Sequence, residues 1–171
     1  MSKTFKMRLA VLLCSAILGL SLGSLAQSFP AVLTGKDLSK VVPTSFYFQG
    51  ESGPTQMRNS AAVQLSATSY VVAGLVDTAG YSSEVRGKYV GFFITDSPIS
   101  IEGADLATGA YGFGFSADGH LNLFDVGGKA VLTVPAHKDE QMKRPRPLVM
   151  ARAADGVRLY NGPNYVTFTQ K

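Results

Sequence analysis

Two histidines are the only imidazole side chains in this 171-residue sequence, and acidic residues lie near both of them. A catalytic zinc site commonly takes three protein ligands and leaves a fourth position open. His120 and His137, together with a carboxylate such as Asp139, have the residue types for such a site. Their spacing matches no established zinc pattern, so we expect no bound metal and no other cofactor.

A serine in the segment GESGP, residues 50–54, raises the question of nucleophilic catalysis, because the segment resembles the nucleophile loop of chymotrypsin-like proteases. That fold places its histidine and aspartate before the serine, whereas both histidines here follow Ser52. The nucleophile elbow of other hydrolases needs a glycine two positions after the serine, where this chain has Pro54. We therefore predict a turn between strands here and no catalytic residue.

Two polar segments have the composition of contact surfaces. The first is a loop, residues 77–89, whose candidate contact residues are Tyr81, Ser82, Ser83, Glu84 and Arg86. Exposed loops on rigid sheets often carry function. The second combines Arg158 and Tyr160 with Tyr165 and the basic segment KRPRP, residues 143–147. For the second segment an alternative stays open, in which the arginines are solvated groups at a sheet edge that oppose association between sheets.

The stretch GAYGFGFSADGHLNLFDVGG, residues 109–128, predicts a hairpin with one aromatic face and one glycine face. A period of two sends Tyr111, Phe113 and Phe115 to one side of the strand, and we expect this side to be core. A two-residue turn at Asp118 and Gly119 would return the chain. The other side carries Gly112 and Gly114, which permit a tightly coiled sheet, a close approach of another chain or peptide, or a small-molecule pocket.

The N-terminal residues have the order of a secretory signal peptide. Three basic residues precede an apolar run over residues 9–25, and small residues before a cut between Ala26 and Gln27 complete the pattern. A cut after Ser28 also fits. We therefore predict a signal peptide over residues 1–26, export to the periplasm or the extracellular medium, and no stable membrane span after cleavage.

Removal of residues 1–26 changes which function classes the composition allows. Thirteen basic residues then face twelve acidic ones, so the net charge falls from +4 to +1 and gives no support for nucleic-acid binding. The single cysteine, Cys14, lies in the apolar run and is removed. The mature chain therefore has no disulfide, thiolate metal site or cysteine nucleophile.

The fold class follows from short apolar blocks that alternate with turn residues about every ten positions. We predict one all-β domain over residues 45–171, a single antiparallel β-sandwich or small β-barrel of about 8–10 strands. Residues 27–44 are less periodic and form a predicted leader segment that packs along this domain. Residues 55–60 fit either a helical turn or a strand.

The segment at residues 101–137 resembles small exported bacterial β domains of unknown function. The shared signature GxxLxxGxY falls on Gly103, Leu106, Gly109 and Tyr111. The resemblance implies a β architecture and an envelope location, and it implies no activity.

Together these features predict an exported, non-catalytic β domain that acts as a binding or structural component of the bacterial cell envelope. Its expected partner is an unknown protein or another envelope component. The alternative is a β-barrel carrier of a small apolar ligand, which the apolar strands rich in aromatic residues favour. An unfamiliar hydrolase or metal-dependent protein is the third hypothesis.

Overall fold

Fourteen strands and two short helices make up residues 29–171, the part of the chain that the computed structural model describes. The predicted signal peptide and both candidate cleavage sites lie outside these residues. The strands are β1 (Ala31–Val32), β2 (Ser45–Phe48), β3 (Glu51–Gln64), β4 (Tyr70–Val76), β5 (Gly91–Thr95), β6 (Ile99–Ile101), β7 (Ala104–Leu106), β8 (Gly109–Phe115), β9 (His120–Phe124), β10 (Ala130–Pro135), β11 (His137–Lys138), β12 (Arg146–Ala153), β13 (Gly156–Gly162) and β14 (Asn164–Gln170). The helices are α1 (Gly35–Val41) and α2 (Ser83–Lys88), and neither has the length and hydropathy to cross a bilayer.

The strands form two antiparallel sheets, which confirms the all-β prediction. The first sheet has the order β1-β3-β4-β5-β8-β9-β10, with β2 paired to β3. The second has the order β12-β13-β14-β6-β7, with β11 paired to β14. Within the described residues the two sheets do not close into one barrel, so the sandwich is the correct member of the predicted pair.

A first core fills the space between the two sheets, and the aromatic face of β8 contributes to it as predicted. Phe113 is fully buried, Tyr111 is nearly so, and Phe115 packs at the margin of the cluster. Phe93 of the first sheet meets Phe168 of the second edge-on, with ring centroids 6.0 Å apart. Such edge-to-face pairs add to the stabilisation from buried area, so this contact ties the two sheets together.

A second core covers the outer face of the first sheet, where β2 and the two helices pack. Phe48 of β2 stacks on Tyr89 with ring centroids 4.1 Å apart. Phe92 and Phe93 are neighbours in β5, point to opposite faces, and are both fully buried. A strand that is buried on both faces reads as a continuous apolar run and loses its alternation, which explains the runs in β4 and β5.

Gly112 and Gly114 of β8 face this second core. A Cβ atom at Gly112 would lie 2.5 Å from Cε2 of Phe48, and one at Gly114 would lie 2.0 Å from the carbonyl oxygen of Lys88. Both glycines are buried. The chain that approaches this face closely is therefore the protein's own, from β2 and the end of α2.

One open alternative is resolved, and two local expectations need correction. Residues 55–60 are strand, within β3, whose first residues pair with β2 and whose later residues pair with β4, with a register shift between Thr55 and Ser60. The predicted two-residue turn at Asp118 has three residues, since Ser116 pairs with His120 and only Gly119 takes a positive φ, of 82°. In GESGP, residues 51–54 lie in β3, and the turn falls one step earlier at Gln49 and Gly50.

The polar segment over residues 77–89 is not only a loop, because it contains α2. Ser82 accepts a hydrogen bond from the backbone N–H of Val85 and so caps this helix. The leader also has structure: β1 pairs with β3, and Leu38 of α1 packs against the second core. Strands of two or three residues, such as β6, β7 and β11, raise the number above the predicted 8–10, since they are too short to leave an alternation in the sequence.

Candidate functional site

Two short strands pair with the same edge of β14 and leave a gap between them. β6 pairs with the end of β14, and β11 pairs with its start. In the gap, the backbone N–H of Glu102 donates to the carbonyl of Thr167 at 3.0 Å. The carboxylate of Glu102 accepts the backbone N–H of Thr167 in return. A side chain therefore completes the hydrogen bonding that a strand backbone supplies elsewhere in the sheet.

The position of Glu102 follows from the turn between β6 and β7. Glu102 and Gly103 both have positive φ, 49° and 82°, and Ile101 pairs with Ala104 across them. Two positive φ values in a two-residue loop are the mark of a type I′ hairpin turn. Glutamate is unfavourable in this conformation, so the hydrogen bond to Thr167 offsets part of a backbone cost.

His137 joins the two short strands through the same carboxylate. Its Nε2 lies 3.0 Å from Oε2 of Glu102, and its ring centroid lies 5.3 Å from that of Tyr165. The Glu102 side chain is 15% exposed, whereas that of His137 is 51% exposed. One partner is held inside the sheet edge while the other faces solvent, so His137 is the accessible end of a fixed pair.

Arg158 and Tyr160 lie on the same outer face, as the alternation of β13 requires. Their neighbours in the strand, Val157 and Leu159, point into the first core. The guanidinium of Arg158 lies 4.6 Å from the centroid of the Tyr165 ring. The ring centroids of Tyr160 and Tyr165 lie 5.1 Å apart. The structure therefore brings together Arg158, Tyr160 and His137, which the sequence placed in separate groups, and Tyr165 lies between them.

An open cleft of about 420 Å³ lies on this face, and we call it the polar cleft. Its lining has two carboxylates, three hydroxyls, one imidazole and one aromatic ring, from Ser100, Glu102, Gly103, His137, Asp155, Tyr165, Thr167 and Thr169. Asp155 also contacts the Arg158 guanidinium at 3.6 Å. The cleft therefore offers hydrogen-bond donors and acceptors side by side, next to one half-exposed ring.

The geometry supports binding better than covalent catalysis. A nucleophile needs a base within hydrogen-bond reach. Among the described residues no serine or threonine hydroxyl forms a hydrogen bond with His137, whose observed polar partner is Glu102. In the part of the chain that the structure describes, this pair therefore activates no serine or threonine hydroxyl.

The metal candidates lie on different sheets. His120 is in β9 of the first sheet, and its Nδ1 lies 3.4 Å from Asp118. His137 is in β11, and the Asp139 carboxylate accepts the backbone N–H of Gln141. Within residues 29–171 there is no group of three histidine, cysteine or acidic side chains placed to hold a metal ion.

The candidates of the segment at residues 77–89 lie apart from this cleft. Tyr81 is buried, and its hydroxyl donates to the Glu51 carbonyl at 3.0 Å. Ser83, Glu84 and Arg86 are exposed on α2, and they make local contacts within that helix. Ser82 is its N-cap, as described above. The structure gives these residues structural partners and does not join them to Arg158 and Tyr160.

Sequence reasoning missed Glu102, Asp155 and the hydroxyls of Ser100, Thr167 and Thr169. One signal was available, because Glu-Gly lies between two short apolar runs, ISI and ADL, where a two-residue hairpin turn fits. The hydroxyls carried no comparable signal. They share a face only because Thr169 pairs with Ser100 across the sheet.

Comparisons of the chain with protein-family models, curated proteins and solved structures find no match. The resemblance carried by the GxxLxxGxY signature therefore stays a prediction. Its residues have structural surroundings in this fold. Gly103 is in the turn after β6, Leu106 is buried, and the Tyr111 hydroxyl donates to the Ala107 carbonyl at 2.9 Å, across the link between β7 and β8.

Proposed function

We propose that this protein is an exported, non-catalytic binding component of the bacterial cell envelope, and that its polar cleft binds envelope saccharide. The single observation that carries the proposal is the fixed pair of Glu102 and His137, which presents an exposed imidazole beside a half-exposed tyrosine ring on the outer face of the second sheet. The N-terminal signal-peptide pattern supports the location.

The chemistry of the lining favours a polyhydroxylated ligand. Saccharide hydroxyls both donate and accept hydrogen bonds, and the cleft offers carboxylates that accept and hydroxyls that do both. The half-exposed part of the Tyr165 ring supplies an apolar surface for the C–H groups of a sugar. A few placed polar groups around such a surface are the usual way in which small ligands are oriented.

The two other hypotheses have less support. A carrier of a small apolar ligand needs an apolar cavity, and the space between the sheets is filled by side chains such as Phe93, Phe113 and Phe168. A hydrolase needs an activated nucleophile or metal, and the polar cleft offers a histidine whose observed polar partner is a carboxylate.

Binding to isolated peptidoglycan tests the proposal. The exported protein, recovered without denaturation, is sedimented with insoluble peptidoglycan, and its affinity for the soluble tetramer of N-acetylglucosamine is measured by calorimetry. We expect His137→Ala to weaken both interactions about tenfold, which corresponds to the loss of about one hydrogen bond.

His120→Ala is the matched control, because His120 is also half-exposed and also lies against an acidic side chain, that of Asp118, on a different sheet. It should leave both interactions unchanged. The proposal is wrong if the native protein binds neither material, or if the two histidine variants lose binding equally.

A further inference from the structure

A second cleft, of about 300 Å³, lies where edge strand β12 of the second sheet runs beside β3 of the first. We call it the arginine cleft. Its walls come from β3, from β12 and from the segment of β1 and α1. It shares no lining residue with the polar cleft, so an inference about it does not depend on the saccharide proposal.

The arginine cleft has two cations and no carboxylate in its lining. Arg58 projects from β3 and Arg146 from the start of β12, and both are exposed. Among the described residues neither guanidinium forms an ion pair or hydrogen bond, whereas Arg158 contacts Asp155 and Arg86 contacts Ser83. Two like charges beside one cleft repel each other, and an anion between them removes that cost.

One wall of the same cleft is aliphatic. Val32, Leu33 and Leu38 line it and stay partly exposed, although Val32 also packs against the first core and Leu33 and Leu38 against the second, and the lining residue Leu148 is buried. Half-exposed aliphatic side chains beside a cationic pair form a site with two kinds of surface. An anionic headgroup can pair with the two arginines, and an aliphatic chain can cover the aliphatic side chains.

We propose that the arginine cleft binds a single-chain anionic amphiphile. Its carboxylate or phosphate lies between Arg58 and Arg146, and its chain lies along Val32, Leu33 and Leu38. The volume is at the lower end of small-ligand sites, which are about 300–1,000 Å³, and it suits one short chain. Guanidinium groups pair with both kinds of oxyanion in a bidentate manner, so the headgroup class covers both.

Calorimetric titration of the intact exported protein tests this inference with four probes. Decanoate and decyl phosphate, both below their micellar concentrations, carry the full chemistry. Inorganic phosphate carries only the charge, and tetraethylene glycol monodecyl ether, which has no saccharide, carries the chain on an uncharged headgroup. We expect saturable binding of the first two, about tenfold weaker binding or none for inorganic phosphate, and none for the uncharged ether.

Arg58→Gln and Arg146→Gln should each weaken decyl phosphate binding about tenfold. Both side chains are exposed, so unchanged melting in the absence of ligand shows that the variants fold. Arg86→Gln, on α2, is the matched control and should bind as the native protein does.

Several outcomes overturn the inference. Equal binding by the arginine variants, or binding of the uncharged decyl ether as tight as that of decyl phosphate, contradicts the assigned role of the two arginines. If inorganic phosphate binds as tightly as decyl phosphate, the proposed contact of the alkyl chain with the aliphatic side chains is wrong. Binding confined to anionic phospholipid vesicles, with no binding of either monomeric amphiphile, indicates attraction to a membrane surface and contradicts the proposed occupant.

Discussion

The Nε2 atom of His137 lies 3.0 Å from Oε2 of Glu102, and the same carboxylate accepts the backbone N–H of Thr167. One partly buried carboxylate thus completes the edge of β14 and holds an exposed histidine over the outer face of the second sheet. Glu102 therefore contributes both to the stability of the sheet edge and to the binding surface. Substitution of Glu102 tests its contribution to stability, and substitution of His137 tests the binding surface.

Glu102→Ala should lower the free energy of unfolding by about 1–3 kcal/mol, because it leaves the partly buried N–H of Thr167 without an acceptor. Glu102→Gln keeps an oxygen acceptor and the same backbone conformation, so it should cost less. Glu84→Ala, in an exposed pair on α2, should change stability by less than about 0.5 kcal/mol. Urea denaturation measures all three. Equal stability of Glu102→Ala and the native protein would refute the assigned role.

Gly114→Ala should lower the free energy of unfolding by about 3 kcal/mol, since its Cβ would lie 2.0 Å from the Lys88 carbonyl oxygen and the backbone would have to move. Gly87→Ala is the control, because Gly87 lies in α2 with open space around it. That variant should leave stability unchanged or raise it by up to about 1 kcal/mol. Thermal unfolding measures the stability of the two variants. A Gly114→Ala variant as stable as Gly87→Ala would contradict the close packing of Gly114 against the Lys88 carbonyl.

The fold was predictable where one face of a strand is buried and the other is not. The alternation in β8 and the turn before β9 identify that hairpin, but the three-residue turn pairs Phe113 with Leu123, where the predicted two-residue turn would pair it with Phe124. The second core was not predictable in the same way. Gly112 is explained only by the ring of Phe48, which lies 64 positions earlier in the chain, and no local pattern connects the two.

The candidate site was partly predictable. Arg158, Tyr160 and Tyr165 lie on one hairpin, so the period of the strands brings them together. Glu102 and His137 reach this hairpin because β6 and β11 pair with the same strand, and such long-range pairing leaves no trace in the local sequence. Tyr81 was expected at a surface because its neighbours are polar, yet its ring packs against Tyr89 in the second core.

Tyr89→Phe should leave the free energy of unfolding unchanged or raise it by up to about 1 kcal/mol. The Tyr89 hydroxyl is buried and makes no well-aligned hydrogen bond among the described residues, with only the Tyr81 hydroxyl near it, so the substitution removes a poorly satisfied polar group. Tyr81→Phe removes a hydrogen bond to the Glu51 carbonyl and should cost about 1 kcal/mol. Guanidinium denaturation compares them, and a greater loss for Tyr89→Phe would reverse this assignment.

The Asp118 carboxyl should titrate below the ordinary range of aspartate. The Ser116 hydroxyl and then His120 lower its pKa. Because the pKa is lower in the folded state, the interaction stabilises the fold above that range and is lost as the pH falls through the folded value. Carbon-13 NMR of the carboxyl measures the pKa. Ser116→Ala should raise it, Ser39→Ala in α1 should not, and an unchanged pKa in Ser116→Ala would remove the proposed cause.

The most direct test of the binding surface is to map where a saccharide touches the protein. Isotope-labelled exported protein is titrated with the tetramer of N-acetylglucosamine, and backbone amide shifts are followed by NMR. We predict saturable shifts concentrated at the residues of the polar cleft, with those of Glu102, Tyr165 and Thr167 among the largest, and we predict that His137→Ala abolishes them. Saturable shifts centred elsewhere, or no shifts at millimolar saccharide, would contradict it.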